Sequence, residues 1–144
     1  MTEHFSLDEF TRTNHIGIDN NLPAHLFKQA EKTLNKLEEI RKILKHPIII
    51  TSGYRSYELN KAVRGVHSKR VSQHTEAKAV DFICPQYGPP ISVALVLKDH
   101  IKNLGIDQLI YEFERWVHVS FDSKPRNDIF SIKHPGKYLY GLVV

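Results

Sequence analysis

The longest periodic pattern in the sequence spans residues 23–45 and constrains the fold most. Apolar side chains recur there at three- and four-residue steps with Lys and Glu between them, which is typical of a helix that buries one face. Pro23 suits the first turn of this helix, and Pro47 lies just beyond its end. The β-branched run at residues 48–51 follows at once and predicts a short buried strand.

The remaining segments favour helix or strand in no regular alternation. Ser6 and Glu9 form a capping box that predicts a short helix over residues 7–13. The apolar spacing adds helices over residues 57–63 and 91–103 and strands over residues 79–83, 108–113, 116–121 and 138–144. This irregular order predicts an α+β fold, with a small, mostly antiparallel sheet flanked by two longer helices and several short ones.

Length and composition exclude several classes of protein. A chain of 144 residues, 41% of them hydrophobic, is typical of one globular domain, and no repeat or linker divides it. We therefore expect a single domain over residues 1–144. The only cysteine, Cys84, excludes an intramolecular disulfide. We also expect synthesis in the cytoplasm without membrane insertion, because the sequence has neither a signal peptide nor an apolar run of the roughly 18 residues that a membrane span needs.

The net charge of +4 favours anionic partners such as nucleic acid or an acidic cell wall. Only residues 61–70 are locally basic, and a nucleic-acid-binding module that uses this stretch is one alternative. The stretch has no interleaved aromatic residue and no recognised binding motif, so we expect no nucleic-acid partner.

Asp81 and His118 each lie at the centre of a predicted apolar strand, where an unpaired polar group is costly to bury. His74 precedes Asp81 by seven residues, and Glu112 precedes His118 by six. Two imidazoles and one carboxylate that leave a fourth position open are typical of a catalytic zinc site, with a nearby Glu as base. The same spacing is also compatible with a hydrogen-bonded core histidine and with a cap or salt bridge at Asp81.

The order of these residues resembles a family pattern, S-x-H-x-x-G-x-A-x-D followed by a Glu and W-x-H. The sequence matches it at Ser72, His74, Ala79, Asp81, Trp116 and His118, with Ser52-Gly53-Tyr54-Arg55-Ser56 upstream. Ala77 stands in place of the glycine. The pattern is that of the zinc D-alanyl-D-alanine carboxypeptidases, a family that includes L-alanyl-D-glutamate endopeptidases of phages and shares its fold with the hedgehog signalling domain. Residues 5–11 and 17–20 resemble the opening of the compact phage-like members.

The resemblance implies that His74, Asp81 and His118 bind Zn²⁺. It also implies that Arg55 holds a substrate carbonyl or the oxyanion and that Ser72 binds substrate. Without these neighbours, Arg55 would be assigned to a surface salt bridge and Ser72 to a cap.

The general base has two candidates. Many relatives place a Glu three residues before the last His, where this sequence has Arg115. Glu112 has the six-residue spacing of the phage-like and hedgehog-like branch, and Glu114 lies four residues before His118. We favour Glu112 because its predicted strand neighbours the one that carries His118, whereas Glu114 falls at the exposed turn.

The function that the resemblance implies is a zinc metallopeptidase that acts on the stem peptides of bacterial peptidoglycan. Both a D,D-carboxypeptidase and an L-Ala-D-Glu endopeptidase fit the pattern. We expect a monomer that reaches the cell wall after release from the cell, as a phage endolysin does, or as a virion component. The alternative within the same fold is a catalytically silent zinc-binding structural or binding domain.

Overall fold

The computed structural model describes residues 1–64 and 72–144, and within them it has five α-helices and six strands. The helices are α1 (Leu7–Thr11), α2 (Phe27–Leu44), α3 (Tyr57–Arg64), α4 (Pro90–Asp99) and α5 (Ile101–Leu104). The strands are β1 (Ile49–Ser52), β2 (Ala79–Ile83), β3 (Ile106–Glu112), β4 (Trp116–Phe121), β5 (Asp128–His134) and β6 (Lys137–Tyr140). Short 3₁₀ helices lie at Ala24–Leu26 and Gln73–Glu76.

The strands form one sheet in the order β1-β2-β4-β3-β5-β6. Neighbouring strands are antiparallel except for β3 and β5, which run parallel. The predicted α+β class with a mostly antiparallel sheet is therefore confirmed.

The two faces of the sheet have different chemistry, because successive side chains of a strand point to opposite sides. Val80, Phe82 and Val119 belong to the hydrophobic core, which also contains the buried face of α2 and residues of α4. Asp81, His118 and Ser120 occupy alternate positions and place polar side chains on the other face, which we call the polar face. The helices thus cover one face and leave the other for a site.

The region around α1 fixes the start of the chain against β1. Ser6 caps α1 through the predicted capping box with Glu9, and Phe10 is fully buried. The Phe10 carbonyl accepts a hydrogen bond of 2.8 Å from the backbone N–H of Tyr54. A Cβ atom on Gly53 would overlap this carbonyl, so the close approach of the two segments requires glycine.

Several predicted boundaries differ from the structure. The helix predicted over residues 7–13 ends at Thr11, and the strand predicted over residues 138–144 spans only Lys137–Tyr140. The first turn of the long helix is 3₁₀, so α2 begins only at Phe27. The helix predicted over residues 91–103 breaks at His100, which has φ −111° and ψ 10°, and α5 follows. β3 begins at Ile106, two residues earlier than predicted, directly after Gly105 with φ 67°. Residues 65–70 of the basic stretch lie outside the described residues.

Within residues 1–64 and 72–144, no helix combines the length and the apolar character that crossing a membrane requires.

Candidate metal centre

Three predicted ligands converge on the polar face of the sheet. Asp81 on β2 is paired directly with His118 on β4, and His74 lies in the 3₁₀ helix that precedes β2. One donor atom from each residue lies within 4.8 Å of the other two. All three side chains are buried. The fold therefore brings together residues that are up to 44 positions apart in the sequence.

His74 presents an unprotonated nitrogen to this cluster. Its Nδ1 lies 2.7 Å from the Gly53 carbonyl oxygen, which can only accept, so Nδ1 carries the proton. Burial outweighs the attraction of Asp81 and lowers the pKa of His74 to about 4, so the imidazole is neutral at pH 7. Its Nε2 lies 3.4 Å from Asp81 Oδ1. Among the described residues, this Nε2 is the only buried side-chain nitrogen or oxygen without a hydrogen bond.

Asp81 supplies the negative charge of the cluster. Burial raises the pKa of its carboxyl, but the adjacent imidazoles outweigh this effect, with His118 at hydrogen-bond distance, and the pKa lies below its usual range. His118 Nδ1 lies 2.8 Å from Asp81 Oδ1. A lone pair of His74 that faces a carboxylate is favourable only if a cation lies between them. Two imidazoles and one carboxylate are a donor set that suits Zn²⁺, so the residues fit the predicted metal.

Arg55 lies beside the cluster rather than on the surface. Its Nη2 donates to Asp81 Oδ2 at 3.2 Å, and its Nε donates to Ser52 Oγ at 3.0 Å. A third contact of 3.5 Å joins Nη1 to Asn60 Oδ1. The side chain is 12% exposed. Arg55 was predicted from the sequence, whereas no local pattern indicates a role for Asn60.

The 3₁₀ helix Gln73–Glu76 positions His74. Ser72 caps this helix, and its Oγ accepts a hydrogen bond of 3.2 Å from the His74 backbone N–H. Ala77, which stands where the family pattern has glycine, has φ 58° in the left-handed region. This conformation costs an L residue about 1 kcal/mol and leaves the three predicted ligands together.

Glu112 lies in the cleft, and Glu114 does not. The Glu112 side chain is 9% exposed; its Oε2 accepts a hydrogen bond of 3.0 Å from Trp116 Nε1, and its Oε1 lies 3.8 Å from His118 Nδ1. Glu114 lies in the reversal between β3 and β4, where its side chain is 57% exposed and lies 3.8 Å from Lys133 Nζ. The contact through which Trp116 orients Glu112 was not predicted from the sequence.

The cleft beside the cluster has a volume of about 620 Å³. His118 and Glu112 line one part of it together with Ser72. Cys84 lies elsewhere, buried, with its Sγ donating to the Pro47 carbonyl at 3.2 Å. Burial raises the pKa of this thiol, which keeps it protonated.

A buried carboxylate, Asp107, ties the 3₁₀ helix to the loop before β5. Arg126 donates to it through Nε at 2.9 Å and Nη2 at 2.7 Å, and Gln73 Nε2 donates at 2.8 Å. Burial opposes ionisation, but these hydrogen bonds outweigh it and lower the pKa of Asp107 to about 2. The hydrogen bond from Gln73 to Asp107 holds in place the residue that directly precedes His74.

Replacing Asp107 with Asn is expected to lower the free energy of unfolding at pH 7 by on the order of 1–2 kcal/mol. The pKa shift alone would give a larger value, but Arg126 is half exposed and solvent screens its charge. The pKa of Asp107 is lower in the folded state, so its contribution is present above about pH 4 and is lost as the pH falls towards 2. The free energies of unfolding of wild type and Asp107→Asn, measured with urea, should therefore differ less at pH 3 than at pH 5.

The control for this prediction is Lys124→Ala, an exposed change near Arg126 on the same loop. It should keep wild-type stability within about 0.5 kcal/mol. If the free energies of unfolding of wild type and Asp107→Asn differed equally at pH 5 and pH 3, the ionised Asp107 carboxylate would not be the source of the stabilisation.

Comparison with known proteins agrees with this geometry. The family model for peptidase M15 matches residues 3–120, which include all of the predicted ligands and Glu112. A search of curated proteins finds no significant match to the chain. The matched family is zinc-dependent, and the His-Asp-His cluster lies within the matched residues. The match covers more than half of the chain, and we conclude that the chain belongs to the peptidase M15 family.

Proposed function

We propose that this chain is a zinc peptidase that hydrolyses a peptide bond in the stem peptides of bacterial peptidoglycan. The observation that carries the proposal is the unprotonated, buried Nε2 of His74, which faces Asp81 beside His118. Family membership supports a metallopeptidase, and the substrate follows from the resemblance of the motifs. The site takes either a D,D-carboxypeptidase or an L-Ala-D-Glu endopeptidase specificity.

The three ligands would hold the ion through His74 Nε2, an oxygen of Asp81 and His118 Nδ1. A zinc ion in such a site supplies Lewis-acid polarisation of a carbonyl and lowers the pKa of a bound water to about 7. The Gly53 carbonyl fixes the His74 tautomer, which is the usual role of a backbone partner of a ligating histidine.

Glu112 is the proposed general base. Trp116 holds its Oε2, which leaves Oε1 directed towards His118 at 3.8 Å. In this position the carboxylate takes a proton from the attacking water and later returns it to the leaving amine. Glu112 is also buried beside the His118 imidazole, and the low access of water to this place strengthens its electrostatic interactions.

Arg55 is the proposed electrostatic stabiliser. Ser52 and Asn60 hold the guanidinium in one orientation beside Asp81. A fixed positive charge there stabilises the negative charge that develops on the carbonyl oxygen in the transition state. We propose that Ser72, which lines the same cleft, contacts the substrate in addition to capping its helix.

The position of Glu112 favours an enzyme over the catalytically silent domain. A silent zinc-binding domain needs the three ligands and has no requirement for a carboxylate beside them. Here a buried Glu is held next to the ligands by a dedicated hydrogen bond. The net positive charge also suits an anionic cell wall, on which we propose that a monomer acts as an endolysin or virion component.

The test is digestion of purified peptidoglycan by the zinc-reconstituted protein, followed by mass spectrometry of the muropeptides. We expect fragments with one new amine and one new carboxyl terminus, which also identify the bond that is cut. Asp81→Asn should release none of them, whereas Asp122→Asn, which changes a carboxylate outside the cleft, should release them as the wild type does. Intact stem peptides after wild-type digestion would refute the proposal.

A further inference from the structure

An aromatic surface lies in the same cleft as Glu112 and His118. It consists of Phe130 on β5 and of Tyr138 and Tyr140 on β6, and we call it the aromatic shelf. The shelf lies beyond residue 120, outside the part of the chain that the peptidase M15 model matches. The proposed catalytic residues need none of these side chains, so their place in the cleft requires a separate explanation.

Strand pairing connects the shelf to the metal cluster. His118, Ile110, Phe130 and Tyr140 are successive partners across β4, β3, β5 and β6, so they form one row on the polar face of the sheet. At about 4.8 Å per strand, Tyr140 lies about 14 Å from His118. An extended peptide of about four residues covers this span. One substrate molecule is therefore long enough to contact both ends of the cleft.

The shelf offers aromatic faces to solvent. The Phe130 ring contacts Tyr138 edge to face at a centroid distance of 5.8 Å and contacts Tyr140 at 5.2 Å. Tyr138 is nevertheless 53% exposed and Tyr140 is 87% exposed. Exposed aromatic side chains that line a cleft mark a binding site rather than a packing surface.

Polar side chains line the same cleft as these rings. Gln108, Asp128 and Arg126 line the same cleft and supply an amide, a carboxylate and a guanidinium. A ligand that suits this combination has an apolar face to stack on tyrosine and hydroxyl or amide groups at its rim. A pyranose ring with equatorial substituents has both features, whereas an aliphatic side chain has only the first.

We propose that the aromatic shelf binds a sugar ring of the glycan strand while the attached stem peptide lies over Glu112 and His118. This inference rests on the proposed function for the identity of the polymer. It adds a saccharide subsite to a peptidase cleft. The enzyme would thus prefer stem peptides that are still attached to glycan over free peptides.

The first test measures binding without catalysis. Wild type, Tyr140→Ala and Leu139→Ala are sedimented with insoluble glycan strands from which the stem peptides have been removed. Leu139 is the matched control, because it lies on the same strand with its side chain on the opposite face. We expect Tyr140→Ala to bind about tenfold more weakly, a typical loss for an aromatic contact, and Leu139→Ala to bind as the wild type does. Absent wild-type binding, or equal binding by all three proteins, would overturn the proposal.

The second test compares two substrates, a muropeptide that carries its disaccharide and the same stem peptide without it. The ratio of their kcat/KM values should fall about tenfold in Tyr140→Ala and stay at the wild-type value in Leu139→Ala. An unchanged ratio in Tyr140→Ala would mean that the shelf does not contact sugar. If the wild type cleaves neither substrate but binds glycan through Tyr140, the proposed function fails and the saccharide subsite stands.

Discussion

Replacing Glu112 with Gln is expected to lower the turnover of peptidoglycan by about a hundredfold to ten-thousandfold. The amide keeps the size of the side chain and can still accept the hydrogen bond from Trp116, but it cannot take a proton from water. Zinc content should stay at the wild-type value, because Glu112 is not a proposed ligand. The measurement is kcat on a defined muropeptide, with elemental analysis of the same sample.

Glu114→Gln is the matched control for this variant. Glu114 lies two residues away but is mostly exposed at the reversal, near Lys133. We expect its replacement to change kcat severalfold at most. An active Glu112→Gln enzyme, or an inactive Glu114→Gln enzyme, would show that the base is assigned to the wrong side of the hairpin.

Replacing Gly53 with Ala is expected to lower the free energy of unfolding by about 3 kcal/mol. The added methyl group would overlap the Phe10 carbonyl and ring, so α1 and the segment after β1 must separate. Separation breaks the hydrogen bond between Tyr54 and Phe10 and displaces the carbonyl that orients His74. Urea unfolding of the metal-free protein measures the loss directly.

Gly136→Ala separates this steric effect from backbone preference. Gly136 has φ 78° and no atom within 4 Å of an added Cβ, so its replacement costs only the left-handed conformation, about 1 kcal/mol. Gly53 lacks a left-handed φ. If Gly53→Ala proved no more destabilising than Gly136→Ala, the close approach to Phe10 would not be a constraint on the fold.

The strands that carry the proposed ligands Asp81 and His118 were predictable from local sequence patterns. β2 and β4 are apolar runs, and an ionisable residue at the centre of such a run has few alternatives to a partner. The burial of Asp81 and His118 agrees with that reasoning. The choice of Glu112 over Glu114 also used a local property. Glu112 was predicted on a strand and Glu114 in a turn, and a turn residue is usually more exposed to solvent.

The contact of Arg55 with Asp81 and the position of the aromatic shelf depend on long-range pairing and were not predictable. Arg55 and Asp81 are 26 residues apart, and their contact requires the antiparallel register of β1 and β2. The parallel pairing of β3 and β5, which places the aromatic shelf in the cleft, leaves no periodic signal in either strand. The break at His100 was missed because the apolar pattern continues through Ile101.

The central claim is that His74, Asp81 and His118 form one zinc site, and elemental analysis after metal-free purification and zinc reconstitution tests it most directly. We expect one zinc per chain in the wild type and in His100→Ala, which removes a histidine outside the cleft whose Nδ1 contacts the Val96 carbonyl. His118→Ala, with folding verified by circular dichroism, should retain less than about a tenth of a zinc per chain. A wild-type protein below that level, or a folded His118→Ala protein with a full zinc, would contradict the claim.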